Sequence, residues 1–386
     1  MKRVLFIGRY AGFAGGIERY AFAAAKRLSA EGVVVDWVGT EPASGAESFC
    51  EAFGSVLSAQ CLVPGAKVTV PNSIDESTNR QIDESMNRRI DESTNRRIDE
   101  SEEYDEVVIH KIPGVKAIRA LKARFGERLV FFAHDHDLYC PRRHYYTPFG
   151  RTNCHRAYSP LRCLFCALAS SPRNAPRVVV NFLRPALAEL RGCRARVISE
   201  FMRANLIRNG FAPDRIEIVP PEVPAVRELK KFTPSKTTPI RLLFAGQLIA
   251  GKGCDLFLET LACLRRLGAP FAATVLGDGK DRAKLEARSR RDGLGVVFAG
   301  WRPDPEKYFA AADLTLFTSR WQEPYGLVGA ESIARGTPVA AFDVGGVREW
   351  LRPGVNGILV PEGDTAALAD AVAAFAPTGS LKGARS

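Results

Sequence analysis

The chain has 386 residues, 46% of them apolar and 25% charged, which is enough to bury the cores of two globular domains. No apolar run reaches the ~18 residues that a membrane-crossing helix needs, and the stretch after Met1-Lys2-Arg3 is too short for a secretion signal, so a cytosolic protein is expected. The net charge of +11 is concentrated from Lys111 through Ser235, where 23 Lys plus Arg face 9 Asp plus Glu. Such a stretch suits an anionic membrane face or a phosphate-bearing acceptor, with a plain arginine-rich surface as the alternative. No nucleic-acid-binding module accompanies it, so nucleic acid is not expected as a partner.

In chain order, Val4 to Gly8 reads as a buried strand, followed by a glycine-bearing loop that reaches Gly15 and Gly16. Ile17, Tyr20, Ala21, Ala24 and Leu28 then recur at helical spacing, and Gly32 ends the helix before a strand at Val33 to Val38. This βαβ opening predicts a parallel sheet. The loop lacks a G-x-G-x-x-G pattern and no acidic ribose ligand ends the second strand, so no nicotinamide cofactor is expected.

Ile-Asp-Glu-Ser begins at 74, 82, 90 and 98, a period of eight residues. On a helix eight residues advance about 80° beyond two full turns, so the isoleucines form no stripe, and a polar insertion in a loop is expected. Strands are predicted at Tyr104 to His110, Leu129 to Ala133, Ala195 to Ser199 and Ile216 to Pro220. A second alternation follows: strand Ile240 to Ala245, glycine loop, helix Asp255 to Leu267, strand Phe271 to Leu276. The expected division is a first domain at 1–225, including the 74–101 insertion, a linker at 226–239, a second domain at 240–376 and a polar tail at 377–386.

The chemistry concentrates at Glu323-Pro324-Tyr325-Gly326-Leu327-Val328-Gly329-Ala330-Glu331, behind the strand-like run Leu314 to Phe317 and ahead of Gly336-Thr337-Pro338. This order sets Glu323 in the turn entering a helix and Glu331 about two turns inside it. A helix N-terminus gathers unpaired N–H groups and partial positive charge, which suits a phosphate. A carboxylate further in accepts hydrogen bonds from sugar hydroxyls. Two glutamates at this spacing are most often solvated helix charges; the Pro-Tyr-Gly turn and the preceding strand favour a nucleotide-sugar site.

With that pair, Gly246-Gln247-Leu248 leading to Lys252-Gly253, and Gly15-Gly16-Ile17-Glu18, the chain resembles family-4 retaining glycosyltransferases of the GT-B fold. Gly277-Asp278-Gly279, Ala312-Asp313 and Gly336-Thr337-Pro338-Val339 fit the same pattern, which is strongest from Ile240 to Phe375. The resemblance implies two Rossmann-like doubly wound α/β domains facing across a cleft, the C-terminal one holding the donor. It implies that Glu323 contacts the donor sugar and Glu331 the ribose, that the backbone at Gly326 and Leu327 faces the diphosphate, and that Lys252 neutralises the leaving group. His134 matches the family histidine facing the transferred sugar, and Gly15, Gly16 and Gly277 fit donor-side loops. Gln247 stands where relatives usually carry Arg, which removes one cation from the diphosphate site. Relatives also continue past Phe375 with a helical crossover that the polar tail does not match. Those two departures, with the octad-repeat insertion, keep open a catalytically impaired protein that binds a nucleotide sugar or glycan without turnover.

Two look-alikes are set aside. Asp135-His136-Asp137 mimics a metal motif but sits in the wrong half, so metal-independent catalysis is expected. Gly246 through Lys252 imitates a phosphate-binding NTPase loop but continues with Gly253 where Ser or Thr would hold magnesium. Cys140, Cys154, Cys163 and Cys166 form a set able to hold a structural zinc, with four unliganded thiols as the alternative.

Overall fold

The computed structural model describes residues 2–8, 10–11, 16–39, 41–42, 48–49, 51–58, 104–112, 114–147, 152–169, 173, 175–223 and 239–375. The octad repeat, most of the expected linker and the polar tail lie outside them. The chain divides into two compact units: the first runs to residue 222 without 144–146 and 151–154, and the second joins those two short segments to everything from 223 onward.

In the first unit, β1 (Arg3–Ile7) leads through β2 (Tyr10–Ala11) into helix α1 (Gly16–Ala30), then β3 (Val34–Gly39), β4 (Glu41–Pro42) and β5 (Ser55–Ser58). After the repeat come β6 (Glu106–Ile109), α2 (Val115–Phe125) and β7 (Leu129–Ala133). Next are α3 (Pro160–Leu168), and α4 (Ala175–Val178), which continues through a π turn at Val179–Leu183 into α5 (Arg184–Leu190). The unit closes with β8 (Arg194–Val197), α6 (Glu200–Arg208) and β9 (Ile216–Ile218). Seven strands form one parallel sheet in the order β5-β3-β1-β6-β7-β8-β9. All five residues of β7 are buried, as an unbroken apolar run in a sheet covered on both faces requires. The strand predicted to reach Ser199 stops at Val197, because Ser199 caps α6 instead, its Oγ accepting from Met202 N at 3.1 Å.

The second unit repeats the plan. β10 (Ile240–Ala245), α7 (Cys254–Arg266), β11 (Phe271–Leu276), α8 (Arg282–Arg291) and β12 (Val297–Gly300) are followed by α9 (Glu306–Ala311) and β13 (Leu314–Phe317). Then come α10 (Leu327–Ala334), β14 (Val339–Phe342), β15 (Gly357–Val360) and α11 (Thr365–Phe375). Its six-stranded parallel sheet runs β12-β11-β10-β13-β14-β15. The core gathers Leu242, Phe244, Phe257, Leu261, Leu316, Phe342 and Leu368 between sheet and helices. Both units are thus doubly wound α/β, as expected.

In each sheet the chain starts centrally, winds outward, and returns to the other side of its first strand. The reversal falls between β1 and β6 in the first unit and between β10 and β13 in the second. At such a switch point the loops after the two strands diverge and leave a crevice beyond the strand ends, where ligands of open α/β sheets bind.

Candidate active site

The second unit places Lys252 after β10 and Glu323 after β13, on the two loops that flank its switch point. Lys252 Nζ donates to both Glu323 carboxylate oxygens, at 2.8 and 3.0 Å. Ser319 Oγ lies 2.7 Å from Glu323 Oε1 and gives its single proton there. Glu323 is buried, and a charge-assisted pair of this kind is several times stronger than one in water. The carboxylate fixes the ammonium and leaves it partly open, since 32% of the Lys252 side chain is exposed.

The loops are stitched so that this geometry is set by backbone. Thr318 Oγ1 donates to Gly253 O at 2.9 Å, and Arg320 N to Gly251 O at 2.9 Å. Arg320 Nη1 donates to Ala250 O at 2.9 Å, while its guanidinium is occupied by Asp255, 2.6 Å from Nη2 to Oδ2. Arg320 is therefore engaged by these partners, while the side chain of Gln247 is exposed. Gly253 has φ +71°, and a Cβ there would lie 1.8 Å from Thr318 O; at Gly251 a Cβ would lie 1.8 Å from the Trp321 ring. The Trp321 indole has Lys252 Nζ 5.9 Å from its ring centroid and is stacked by His144 at 3.4 Å and 6°. Gln322 Nε2 donates to Cys154 O at 3.3 Å, so both short segments from earlier in the chain meet this loop.

Helix α10 starts at Leu327, with Gly326 before it at φ +85°. Glu331 is therefore little more than one turn inside, nearer the N-terminus than the sequence spacing implied, because Gly326 holds the chain out of the helix until then. The Glu331 side chain is 37% exposed, and Arg335 Nη1 stands 3.8 Å from its carboxylate. Trp350 braces the first turn, its Nε1 donating to Tyr325 O at 2.6 Å. A Cβ on Gly329 would lie 2.1 Å from the Trp350 ring. Gly277 has φ +129°, and a Cβ there would be 2.0 Å from Gly246 O, so backbone packing alone requires glycine.

His134 follows β7 in the first unit. Its Nε2 lies 2.7 Å from Nδ1 of His110, the residue after β6. Its ring stacks on Phe132 at 4.2 Å and meets Tyr20 edge-on at 4.9 Å. Burial, with the nearby Lys111 ammonium, lowers the His134 pKa to about 3, and burial keeps His110 well below the usual range. Lys111 bridges Asp137 and, at 3.4 Å, Asp135. Burial and the Asp135 charge push Asp137 up to about 6, whereas Asp135 is lowered, Lys111 and the Asp137 N–H outweighing its burial. The Asp-x-Asp look-alike is thus engaged by a lysine just past the end of β6.

Gly16 opens α1, and Gly15 lies outside the described residues. The zinc set does not assemble among the described residues, where no group of three or more His, Cys, Asp or Glu side chains is placed to hold a metal. Cys163 and Cys166 lie on α3, and Cys163 packs with Leu164 and Leu168 around Ala167 and Val179. Ser319, Trp321, His110, Lys111 and His144 went unnoticed in the sequence; only position after a strand could have drawn attention to Ser319 and His110.

Sequence comparison sets this geometry among known proteins. The model described as glycosyl transferases group 1 matches residues 239–376, and that described as glycosyltransferase family 4 matches residues 14–227, more than half of the chain. The chain belongs to glycosyltransferase family 4. A 2-deoxystreptamine glucosyltransferase from Streptomyces kanamyceticus is 29% identical over 250 residues, 64% of this chain and 62% of that protein. A D-inositol 3-phosphate glycosyltransferase from Geodermatophilus obscurus is 32% identical over 245 residues, 57% of this chain and 53% of its own length. The chain thus spans between half and two thirds of the length of these relatives. Among solved structures, the lipopolysaccharide outer core galactosyltransferase WaaB superposes with TM-score 0.62 at 15% identity, covering 99% of this chain and 92% of WaaB. Anabaena HepE in complex with UDP and glucose does so with TM-score 0.58 at 19% identity, with the same coverages. Both share the fold, and family and architecture agree with the resemblance read from the motifs.

Proposed function

We propose that this protein moves a sugar, with retention of configuration, from a nucleotide-diphosphate donor to a glycan or lipid-linked glycan in cell-surface polysaccharide synthesis. The supporting observation is the buried Glu323 holding Lys252 at the switch point of the second unit, four residues before a helix N-terminus. As the glycosidic bond breaks, negative charge builds on the departing diphosphate; a fixed ammonium and the N–H groups at Leu327 and Val328 are oriented for that charge without reorganising. Supplied by side chain and backbone, this stabilisation asks for no catalytic metal. Glu323 orients Lys252 and accepts from donor-sugar hydroxyls, and Glu331 accepts from the ribose. Anabaena HepE was solved with UDP and glucose, which supports a nucleoside-diphosphate donor.

The acceptor side is read from charge. Between Asp137 and Glu189 the chain has no acidic residue and eight arginines, and α3 there exposes Leu161 and Phe165, at 66% and 58%. Apolar side chains among arginines suit the interface of an anionic bilayer, which supports cytosolic action on a membrane-borne acceptor. The test is a panel of UDP-, GDP- and ADP-sugars by thermal shift, followed by NMR of the product's anomeric proton with and without EDTA. A product of inverted configuration, or release of sugar only when a divalent cation is present, overturns the mechanism.

A further inference from the structure

His110 and His134 are 24 residues apart in sequence and share a 2.7 Å contact between His110 Nδ1 and His134 Nε2. One of these nitrogens must carry the proton and the other accept it. Both imidazoles are held neutral by burial, so each has one N–H. The unused nitrogen of His110, Nε2, is buried and has no hydrogen-bond partner among the described residues. If His134 donated, His110 would carry its own proton on that Nε2, leaving a buried N–H orphaned. If His110 donates, Nε2 is a bare acceptor. Orphaned buried N–H groups are the rarer case.

The surrounding pocket points the same way. Trp37 Nε1–H, a donor only, is also buried without a partner among the described residues, and the Trp37 and His110 rings lie 6.2 Å apart. A second orphaned donor would add another buried N–H without an acceptor to the same pocket. Phe6 at 4.5 Å and Phe132 at 5.5 Å close the pocket and keep the His110 ring from turning. Gly8 makes room for the indole, since a Cβ there would lie 2.0 Å from Trp37.

We infer that His110 is the positioning residue for His134: its Nδ1–H donates to His134 Nε2, which places the His134 proton on Nδ1 and makes that nitrogen a hydrogen-bond donor. His134 Nδ1 makes no hydrogen bond among the described residues, so it is the nitrogen available to a ligand. The consequence is selective. His134 contributes an N–H to an acceptor oxygen, such as a hydroxyl or phosphate oxygen, and does not serve as a base there. The assignment of a ligand to that nitrogen rests on the proposed sugar transfer; the proton assignment does not.

The test is a long-range proton–nitrogen correlation spectrum of 15N-histidine-labelled protein at neutral pH without substrate. The chain has five histidines, and His134 and His110 are assigned by single substitutions. Both are expected as Nδ1–H tautomers, against the Nε2–H preference of histidine in water. His110→Phe is expected to return His134 to Nε2–H, and His110→Asn, whose amide sits near the Nδ1 position, to retain Nδ1–H. An Nε2–H signal for His134 in the unsubstituted protein overturns the inference even if no variant folds, and so does an unchanged His134 pattern in His110→Phe. Because no donor is present, failure here leaves sugar transfer standing, and an inactive protein with the expected spectrum leaves the tautomer standing.

Discussion

The two units use the same sheet plan and the same switch point for opposite electrostatics. The second builds a charged device, Lys252 locked by Glu323 and Ser319 on loops stitched backbone to side chain. The first builds a neutral one, two imidazoles in contact within an aromatic pocket formed by Phe6, Trp37 and Phe132. Buried charge needs fixed partners, so the second unit invests in glycine-tight loops. A neutral pair needs only desolvation and one correctly placed proton, so the first unit invests in rings.

The largest effect expected on this contrast is at Gly253. Gly253→Ala forces a side chain into φ +71° and to 1.8 Å from Thr318 O, so chemical denaturation of the second unit is expected to lose about 3 kcal/mol, with donor binding lost too. A variant with unchanged unfolding would show that the loops are not rigid. Next comes Lys252→Ala, expected to lower kcat at least about 100-fold in a steady-state assay, because the leaving diphosphate loses its fixed cation. If kcat holds and only KM rises, the lysine binds uniformly and is not tuned to the transition state.

How far the sequence disclosed these devices follows from how local each one is. Lys252-Gly253 and Glu323-Pro324-Tyr325-Gly326 were recognisable because each is a contiguous string, although the contacts that require the glycines are distant in sequence: Gly253 faces Thr318 O, and Gly326 faces Phe317 and Trp350. The strands at Leu129–Ala133, Ile240–Ala245 and Phe271–Leu276 were equally plain, being short apolar runs buried in parallel sheets. His110 was not, because what matters is its neighbour across β6 and β7, and pairing register leaves no mark on either segment alone. Of the helices between residues 115 and 208, α2 buries Ala117, Ile118, Leu121 and Phe125 at helical spacing, a stripe that the sequence carries openly. The four cysteines differ again: the C-x2-C pair is conspicuous in sequence, and the structure sets Cys163 and Cys166 on one helix, α3.

Acid titration separates the units further. His134 has a folded pKa near 3, below its unfolded value, so its contribution to stability is present above about pH 6.5 and is lost as pH falls. His110 shifts the same way. Asp137, raised to about 6, acts in reverse, its contribution growing as pH falls from about 6 to 4. Between pH 6.5 and 5 the two histidines dominate, and urea melts of the first unit are expected to lose on the order of 2 kcal/mol. A His134→Phe variant should lose less; an equal loss would place the titration elsewhere. The smallest effects belong to the periphery. Glu331→Ala is expected to weaken nucleotide binding about tenfold by calorimetry, the worth of one hydrogen bond to a charged group. Leu161→Glu with Phe165→Glu is expected to reduce flotation with anionic vesicles and leave transfer to a soluble acceptor unchanged.

The central claim is that a sugar nucleotide's diphosphate sits against Lys252 and the start of α10. Its most direct measurement is a calorimetric titration of the best donor from the UDP, GDP and ADP panel into unsubstituted protein and into Lys252→Met. The account predicts a dissociation constant at least about tenfold weaker in the variant, with the folded baseline unchanged. Equal affinity in the two proteins would contradict it.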